Sequence, residues 1–310
     1  MDTQIVTYDQ RIALTWNGAI AALRAGHLRP RAQIGDMFLG PAEATLLTRG
    51  AWIDGVGFGV KSVTVMPGNS ALGVPTVQGA MFVFAAADGH LEAIVDSRLV
   101  TEFKTAADSA LGAQLLARPD ATRLLIAGAG TVARSLIDAY SAAFPNLRSI
   151  EVWARRPDQA NALAAECAEV QIPVTAVDDL AAAAGQADII STATMAREPI
   201  LKGDWIAPGT HVDLIGAFKS DMREADDTLI AMGRLFVDSR ETTVHHIGEL
   251  SIPLSHGTIT EADVLADFYD LIADGAVGRT SDDQITVFKN GGGAHLDLMM
   301  ADYITASVAP

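Results

Sequence analysis

"LLIAGAGTVARSLIDAY", residues 124–140, decides how this chain folds. Four apolar residues run directly into Gly128-Ala129-Gly130-Thr131-Val132-Ala133, and apolar residues then recur at helical spacing. This is the G-x-G-x-x-A form of a dinucleotide-binding turn. Gly128 allows the tight turn, Gly130 lets the backbone approach a pyrophosphate, and Ala133 lets the helix pack close to the sheet. The helix N-terminus then offers unpaired amides and positive dipole to the anion. The motif carries weight because a strand precedes it and a helix follows it.

Around this turn the chain alternates strand and helix. Strand candidates are "RLLIAG" (123–128), "SIEVWA" (149–154), "PVTAV" (173–177), "DIISTA" (188–193), "HVDLIGA" (211–217) and "RLFVD" (234–238). Helical stretches at 131–144, 157–168 and 178–186 separate several of them. Such an order predicts a parallel sheet with helices on both faces. Residues 257–279 read as helical, and 285–304 as a strand, a glycine cluster and a helix.

The N-terminal part is mixed. Helical spacing covers 12–26, a strand at 59–67 ends at Pro67, and two strand-like runs in 79–96 flank Asp88-Gly89, a hairpin signal. Residues 100–117 form a helix that Thr101 is placed to cap. Pro119-Asp120 then break the chain. We therefore expect an α/β protein in which a doubly wound Rossmann sheet (119–284) is inserted in a discontinuous α+β domain (1–118 plus 285–310).

Composition narrows the function. With 310 residues the chain is long enough for two domains, and 49% hydrophobic residues supply their cores. A net charge of −16 argues against nucleic acid or an anionic membrane as partner. No apolar run reaches membrane-spanning length and no signal peptide is visible. The lone Cys167 cannot form an internal disulfide or a Cys-based metal site, which suits a reduced, cytoplasmic protein. The seven histidines lack metal-ligand spacing, and no Ser/His/Asp grouping is evident.

An anionic ligand of so acidic a chain needs locally placed cations. At the end of the second Rossmann strand, where an NAD site usually has an acid, stand Ala154, Arg155 and Arg156; Glu151 comes too early in the strand. An arginine fork suits a 2′-phosphate, so NADP(H) is expected over NAD(H), with NAD(H) possible. Lys61 sits within a largely apolar strand and must be paired or functional, because unpaired burial is costly. Lys104 falls in the first turn of the expected 100–117 helix, where a cation opposes the dipole unless an anion sits there too. Arg31 follows a proline on a loop.

These pieces together resemble the ornithine cyclodeaminase/mu-crystallin family along nearly the whole chain. The resemblance is carried by Pro30-Arg31, "GVKSVTVMPGNSALGVPTVQG" (59–79), "VTEFKTAADSALGAQLLA" (100–117), "GAGTVA" (128–133), "TATMAREPIL" (192–201), "HVDLIGAFKSDMREAD" (211–226) and "ITVFKNGGGAHLDLMMA" (285–301). It implies a homodimer whose outer domain forms much of the substrate site. It implies that Arg31 and Lys61 hold the substrate's α-carboxylate. Lys104 replaces a family arginine beside substrate and cofactor, which keeps the charge and loses the bidentate fork. Thr76, Thr131, Val132, Thr192, Thr194, Ile215 and Asn290 fall at dinucleotide-contacting positions, and Gly291 where the chain approaches the substrate.

One position separates the branches of the family. Cyclodeaminases carry a proton-transferring Asp after strand 211–217, and here that position is Phe218. Phenylalanine cannot move a proton. The loop is similar instead to that of the ketimine reductases, which implies NAD(P)H-dependent reduction of a small anionic cyclic imino acid, Δ1-pyrroline-2-carboxylate or Δ1-piperideine-2-carboxylate. Lys61 is then the candidate acid and Phe218 an apolar wall. Ornithine cyclodeaminase, an amino-acid dehydrogenase such as alanine dehydrogenase, and a non-catalytic NADPH-binding protein remain as alternatives.

Overall fold

The computed structural model describes residues 3–41 and 43–308. In chain order come β1 (Gln4–Val6), α1 (Trp16–Gly26), β2 (Gln33–Leu39), β3 (Thr45–Ile53), β4 (Gly57–Val65), β5 (Val77–Phe84), β6 (Leu91–Asp96) and α2 (Ser97–Leu116). The middle holds β7 (Arg123–Ala127), α3 (Thr131–Ala143), β8 (Ser149–Trp153), α4 (Pro157–Glu166), β9 (Val174–Ala176), α5 (Leu180–Ala184), β10 (Ile189–Thr192) and β11 (His211–Leu214). The last part holds α6 (Asp227–Met232), β12 (Arg234–Val237), α7 (Arg240–Thr243), α8 (Gly248–His256), β13 (Val264–Ala266), α9 (Phe268–Ile272), β14 (Thr286–Lys289) and α10 (Ala294–Ser307). Two compact units result, Met1–Thr105 with Gly293–Pro310, and Ala106–Gly292.

The first unit is a six-stranded sheet in the order β1-β6-β5-β4-β3-β2. Strands β2 to β6 run antiparallel to their neighbours, and β1 adds parallel to β6. The β5–β6 connection turns at Asp88-Gly89, where Gly89 has φ 74°, a conformation glycine adopts without strain. Side chains alternate across β4, so Gly59, Lys61 and Val63 share its buried face. Helix α10 lies on that face; a Cβ on Gly59 would come 2.8 Å from the Leu298 side chain. Alternation therefore turns Lys61 toward a helix whose residues 294–301 are all buried.

The second unit is an eight-stranded, wholly parallel sheet in the order β13-β12-β14-β11-β10-β7-β8-β9. All residues of β10, β11 and β14 are buried, as helices on both faces of a parallel sheet require. From β7 the chain builds β8 and β9 outward on one side, then crosses to β10 and β11 on the other. The reversal lies between β7 and β10, beside Gly128, which is where a doubly wound sheet binds its ligand.

Three expectations need correction. Helix α2 starts at Ser97, not near Thr101, because the Asp96 carboxylate takes the Arg98 N–H at 2.8 Å and begins the helix earlier. Lys104 thus lies in the second turn, and the dipole argument for it lapses. Residues 257–279 are not helical throughout, since Val264–Ala266 forms the edge strand β13 on β12. Finally, β14 does not return to the first unit. It inserts between β11 and β12, so the second unit extends to Gly292 instead of 284, and its N-terminal limit falls within α2 at Ala106 instead of at 119.

Candidate active site

In the first unit the Lys61 Nζ lies 2.7 Å from Asp297 Oδ2. Lys61 is 7% exposed and Asp297 1%. Burial lowers the lysine's pKa, and the Asp297 carboxylate is the main effect opposing that fall. Burial alone would raise Asp297, but Lys61, Lys104 and Arg49 together hold it below the ordinary carboxylate value. Oδ1 of Asp297 has no hydrogen-bond partner. Arg49 faces Lys61 directly across the β3–β4 ladder and pairs with Asp36 at 2.9 Å. His295 is pushed down to about 3, by burial first and then by His27, so near neutral pH it is an uncharged ring.

One buried acid thus sits within the field of three cations, a positive centre in a chain of net charge −16. That centre can hold a small carboxylate. Lys61 and Lys104, both expected at the substrate, contribute to it. Arg31 is exposed on the loop before β2. Thr76, half-buried before β5, belongs to this unit and not to the one bearing the glycine turn; its carbonyl accepts the Met66 N–H at 2.7 Å. Sequence reasoning missed Asp297. Its signal was a lone acid inside "AHLDLMMA", the same kind of signal that marked Lys61.

In the second unit the glycine turn has the expected geometry. Gly128 has φ 141°, and a Cβ there would lie 2.5 Å from the Ala193 carbonyl oxygen. Gly130 is extended and caps α3, and a Cβ added to it meets nothing within 4 Å. The space beside Gly130, at the amides of Thr131 and Val132, therefore fits a pyrophosphate. At the end of β8, Ala154 is buried while Arg155 and Arg156 are exposed. Glu151 lies 3.8 Å from Arg123, back along the strand.

On the other side of the reversal, one carboxylate ties the strand ends together. Glu224 is fully buried. Its Oε2 accepts from Thr192 Oγ1 and the Gly216 N–H, both at 2.7 Å, and its Oε1 from the Thr194 N–H and Oγ1, both at 2.7 Å. The Ile215 N–H donates to the Thr192 carbonyl at 3.0 Å. Asn290 donates its N–H to the Leu214 carbonyl and its amide Nδ2 to Ser109 Oγ. The N–H groups of Gly291 and Gly292 both point to Asp238 Oδ2. Thr192, Thr194, Ile215, Asn290 and Gly291 thus all belong to the C-terminal ends of neighbouring strands.

The loop after β11 carries no poised acid. Phe218 is 52% exposed, with the Lys219 ammonium 5.5 Å above its ring. Asp221 is exposed and lies 3.5 Å from Arg197. Among the described residues no His/Cys/Asp/Glu group could hold a metal ion.

Comparison with known proteins agrees with this geometry. The sequence model of the ornithine cyclodeaminase/mu-crystallin family matches residues 52–309. A Delta(1)-pyrroline-2-carboxylate reductase of Paracoccus denitrificans is 60% identical over 307 residues, 99% of this chain and 97% of that protein. The structure of the Thermococcus litoralis Delta(1)-pyrroline-2-carboxylate reductase in complex with NADH and L-proline superposes with a TM-score of 0.91 at 26% identity, covering 98% of this chain and 97% of its own. An archaeal alanine dehydrogenase dimer with bound NAD gives a TM-score of 0.91 at 27% identity, covering 99% and 96%.

Proposed function

This chain belongs to the ornithine cyclodeaminase/mu-crystallin family, and we propose that it is a nicotinamide-dependent oxidoreductase reducing cyclic ketimines. Its substrates are Δ1-pyrroline-2-carboxylate, giving L-proline, and Δ1-piperideine-2-carboxylate, giving L-pipecolate. The observation that carries this reading is Phe218, a residue unable to transfer a proton, in place of a cyclodeaminase's Asp. The 60% identity to a pyrroline-carboxylate reductase over nearly the whole chain supports it.

A nicotinamide cofactor, when bound, would supply the hydride that the imine carbon accepts. The chain's part is orientation and electrostatics. Lys61, Lys104 and Arg31 hold the carboxylate, which fixes the imine carbon's approach; positioning of this kind supplies much of the rate. Asp297 opposes the fall that burial imposes on the pKa of Lys61 and so favours its ammonium form. A substrate that enters as the iminium needs no enzyme acid, and for a neutral imine we assign the proton to Lys61. Phe218 and Gly291 line the ring's approach. Gly128, Gly130, Thr131 and Val132 would receive the pyrophosphate, and Thr192, Thr194, Ile215 and Asn290 the nicotinamide half.

Arg155, with Arg156, favours NADP(H) over NAD(H) by offering a donor fork to a 2′-phosphate. A homodimer is proposed because Met37, Phe38 and Leu39 are exposed on the edge strand β2, a row that invites pairing with a second copy. No helix among the described residues is long and apolar enough to cross a membrane, and with the buried Cys167 we propose a cytoplasmic enzyme. Oxidation of NADPH and of NADH, measured with each cyclic imino acid, tests the whole reading. Turnover with at least one imino acid is expected. Ammonia and proline released from ornithine, or faster turnover of pyruvate plus ammonia, would replace it.

A further inference from the structure

We infer that Glu224 is a positioning residue for the nicotinamide half of the cofactor, a role that rests on the reading above. Three observations converge on it. The first is location. In a doubly wound sheet the β7-β8-β9 side takes the adenosine and the side across the reversal takes the second nucleoside. Thr192 ends β10, Thr194 follows it, and Gly216 follows β11, so all of Glu224's donors belong to that second side.

The second observation is saturation. A carboxylate has about four acceptor sites. Each Glu224 oxygen takes one hydroxyl and one backbone amide, all at 2.7 Å, with the side chain fully buried. With every acceptor position on a protein donor, its role is geometric. The loops it joins also touch. A Cβ on Gly216 would lie 2.1 Å from the Thr194 carbonyl oxygen and 2.4 Å from Glu224 Oε1.

The third observation is that Glu224 is itself held. Its N–H and that of Ala225 donate to Glu249 at 2.8 and 2.9 Å, and its carbonyl accepts from Ile200 and Leu201 at 2.9 Å. Two carboxylates this close are costly to bury, and Glu249 is raised to about 7 by burial and by Glu224's charge. The buried Lys289 ammonium offsets part of that cost for both while donating to the Leu214 and Asn290 carbonyls. The network thus reaches the main chain at the ends of β11 and β14 as well as the loop after β10.

The test is Glu224→Gln, read by two ligands. A glutamine presents one oxygen and one NH2. Whichever way it turns, the NH2 meets one backbone N–H, of Gly216 or of Thr194, and unlike a hydroxyl that amide cannot reverse to accept. One loop must then shift. We expect NADH to bind at least about tenfold more weakly by cofactor fluorescence, since a charge-assisted acceptor is lost. ADP-ribose, which lacks the nicotinamide, is expected to bind within twofold of wild type. Thr194→Val removes one hydroxyl donor only and is expected to weaken NADH about threefold with ADP-ribose again unchanged; it carries the test if the glutamine variant does not fold. Unchanged NADH binding in both variants, or equal weakening of both ligands, overturns the assignment and leaves Glu224 a structural staple. Wild-type protein that binds neither ligand would instead overturn the dinucleotide reading beneath it.

Discussion

Asp297→Asn isolates the electrostatics of the proposed substrate centre. Lys61 and Asp297 are 2.7 Å apart and both buried. Removing one partner of a buried pair costs about 3–5 kcal/mol, because the other charge is left uncompensated. Here the stranded ammonium would also face Lys104 and Arg49. Lys61 can escape most of this penalty by releasing its proton, and burial already depresses its pKa. A neutral Lys61 cannot attract a carboxylate. Losing a desolvated charge contact costs about 2–5 kcal/mol, so kcat/KM for the imino acid should fall by roughly 30- to several thousand-fold.

The diagnostic assay is kcat/KM against pH, since a purely structural loss would not move a pKa. In wild type the active ammonium is lost as pH rises through the folded-state pKa of Lys61, which lies below that of a free lysine. In Asp297→Asn that alkaline limb should move to lower pH by at least about one unit, the sign expected when a stabilising anion is removed. The substrate's own ionisation is common to both enzymes and cancels in the comparison. Stability gives an independent reading: Lys61→Met strands the Asp297 carboxylate, and Lys61→Met/Asp297→Asn, which removes both charges, should recover most of the roughly 3–5 kcal/mol lost by that single variant. An alkaline limb that stays in place, or a double variant no more stable than Lys61→Met, would refute the reasoning.

Gly130→Ala should fold and melt like wild type, because its Cβ meets no protein atom within 4 Å, yet bind dinucleotide at least about tenfold more weakly by filling the pyrophosphate's space. Gly128→Ala should lose stability too, by about 1–3 kcal/mol, since φ 141° and a 2.5 Å contact both oppose a side chain; calorimetry separates the two variants. Arg155→Asp should shift the NADPH/NADH ratio of kcat/KM toward NADH, and an unchanged ratio removes the phosphate assignment. Burial raises Asp213 to about 6, so the folded state binds this proton more tightly than the unfolded chain does, and stability falls as pH rises from about 4 to about 6. Asp213→Asn should abolish that share of the slope, about 3 kcal/mol, in urea midpoints taken across the interval.

Residues 124–140 were enough to determine the glycine turn, and the alternation of strand and helix over 123–238 the parallel sheet around it, because turn chemistry and apolar runs are local properties. Local reading also marked Lys61 as a residue needing a partner, and the family resemblance marked Phe218 as standing where cyclodeaminases carry an acid. It could not name the partner. Asp297 lies 236 positions further along the chain, and only the packing of α10 on the inner face of β4 brings the two charges to 2.7 Å. Glu224 was likewise invisible as an anchor, since its four donors come from Thr192, Thr194 and Gly216, on loops that only the sheet order makes neighbours. The misplaced limits of the second unit have the same origin: β14 reads as a short apolar run wherever it pairs, and its position between β11 and β12 is decided by the ladder it completes. Spacing along the chain specifies which groups need partners, and tertiary packing alone selects those partners, because burial and distance are properties of the folded chain.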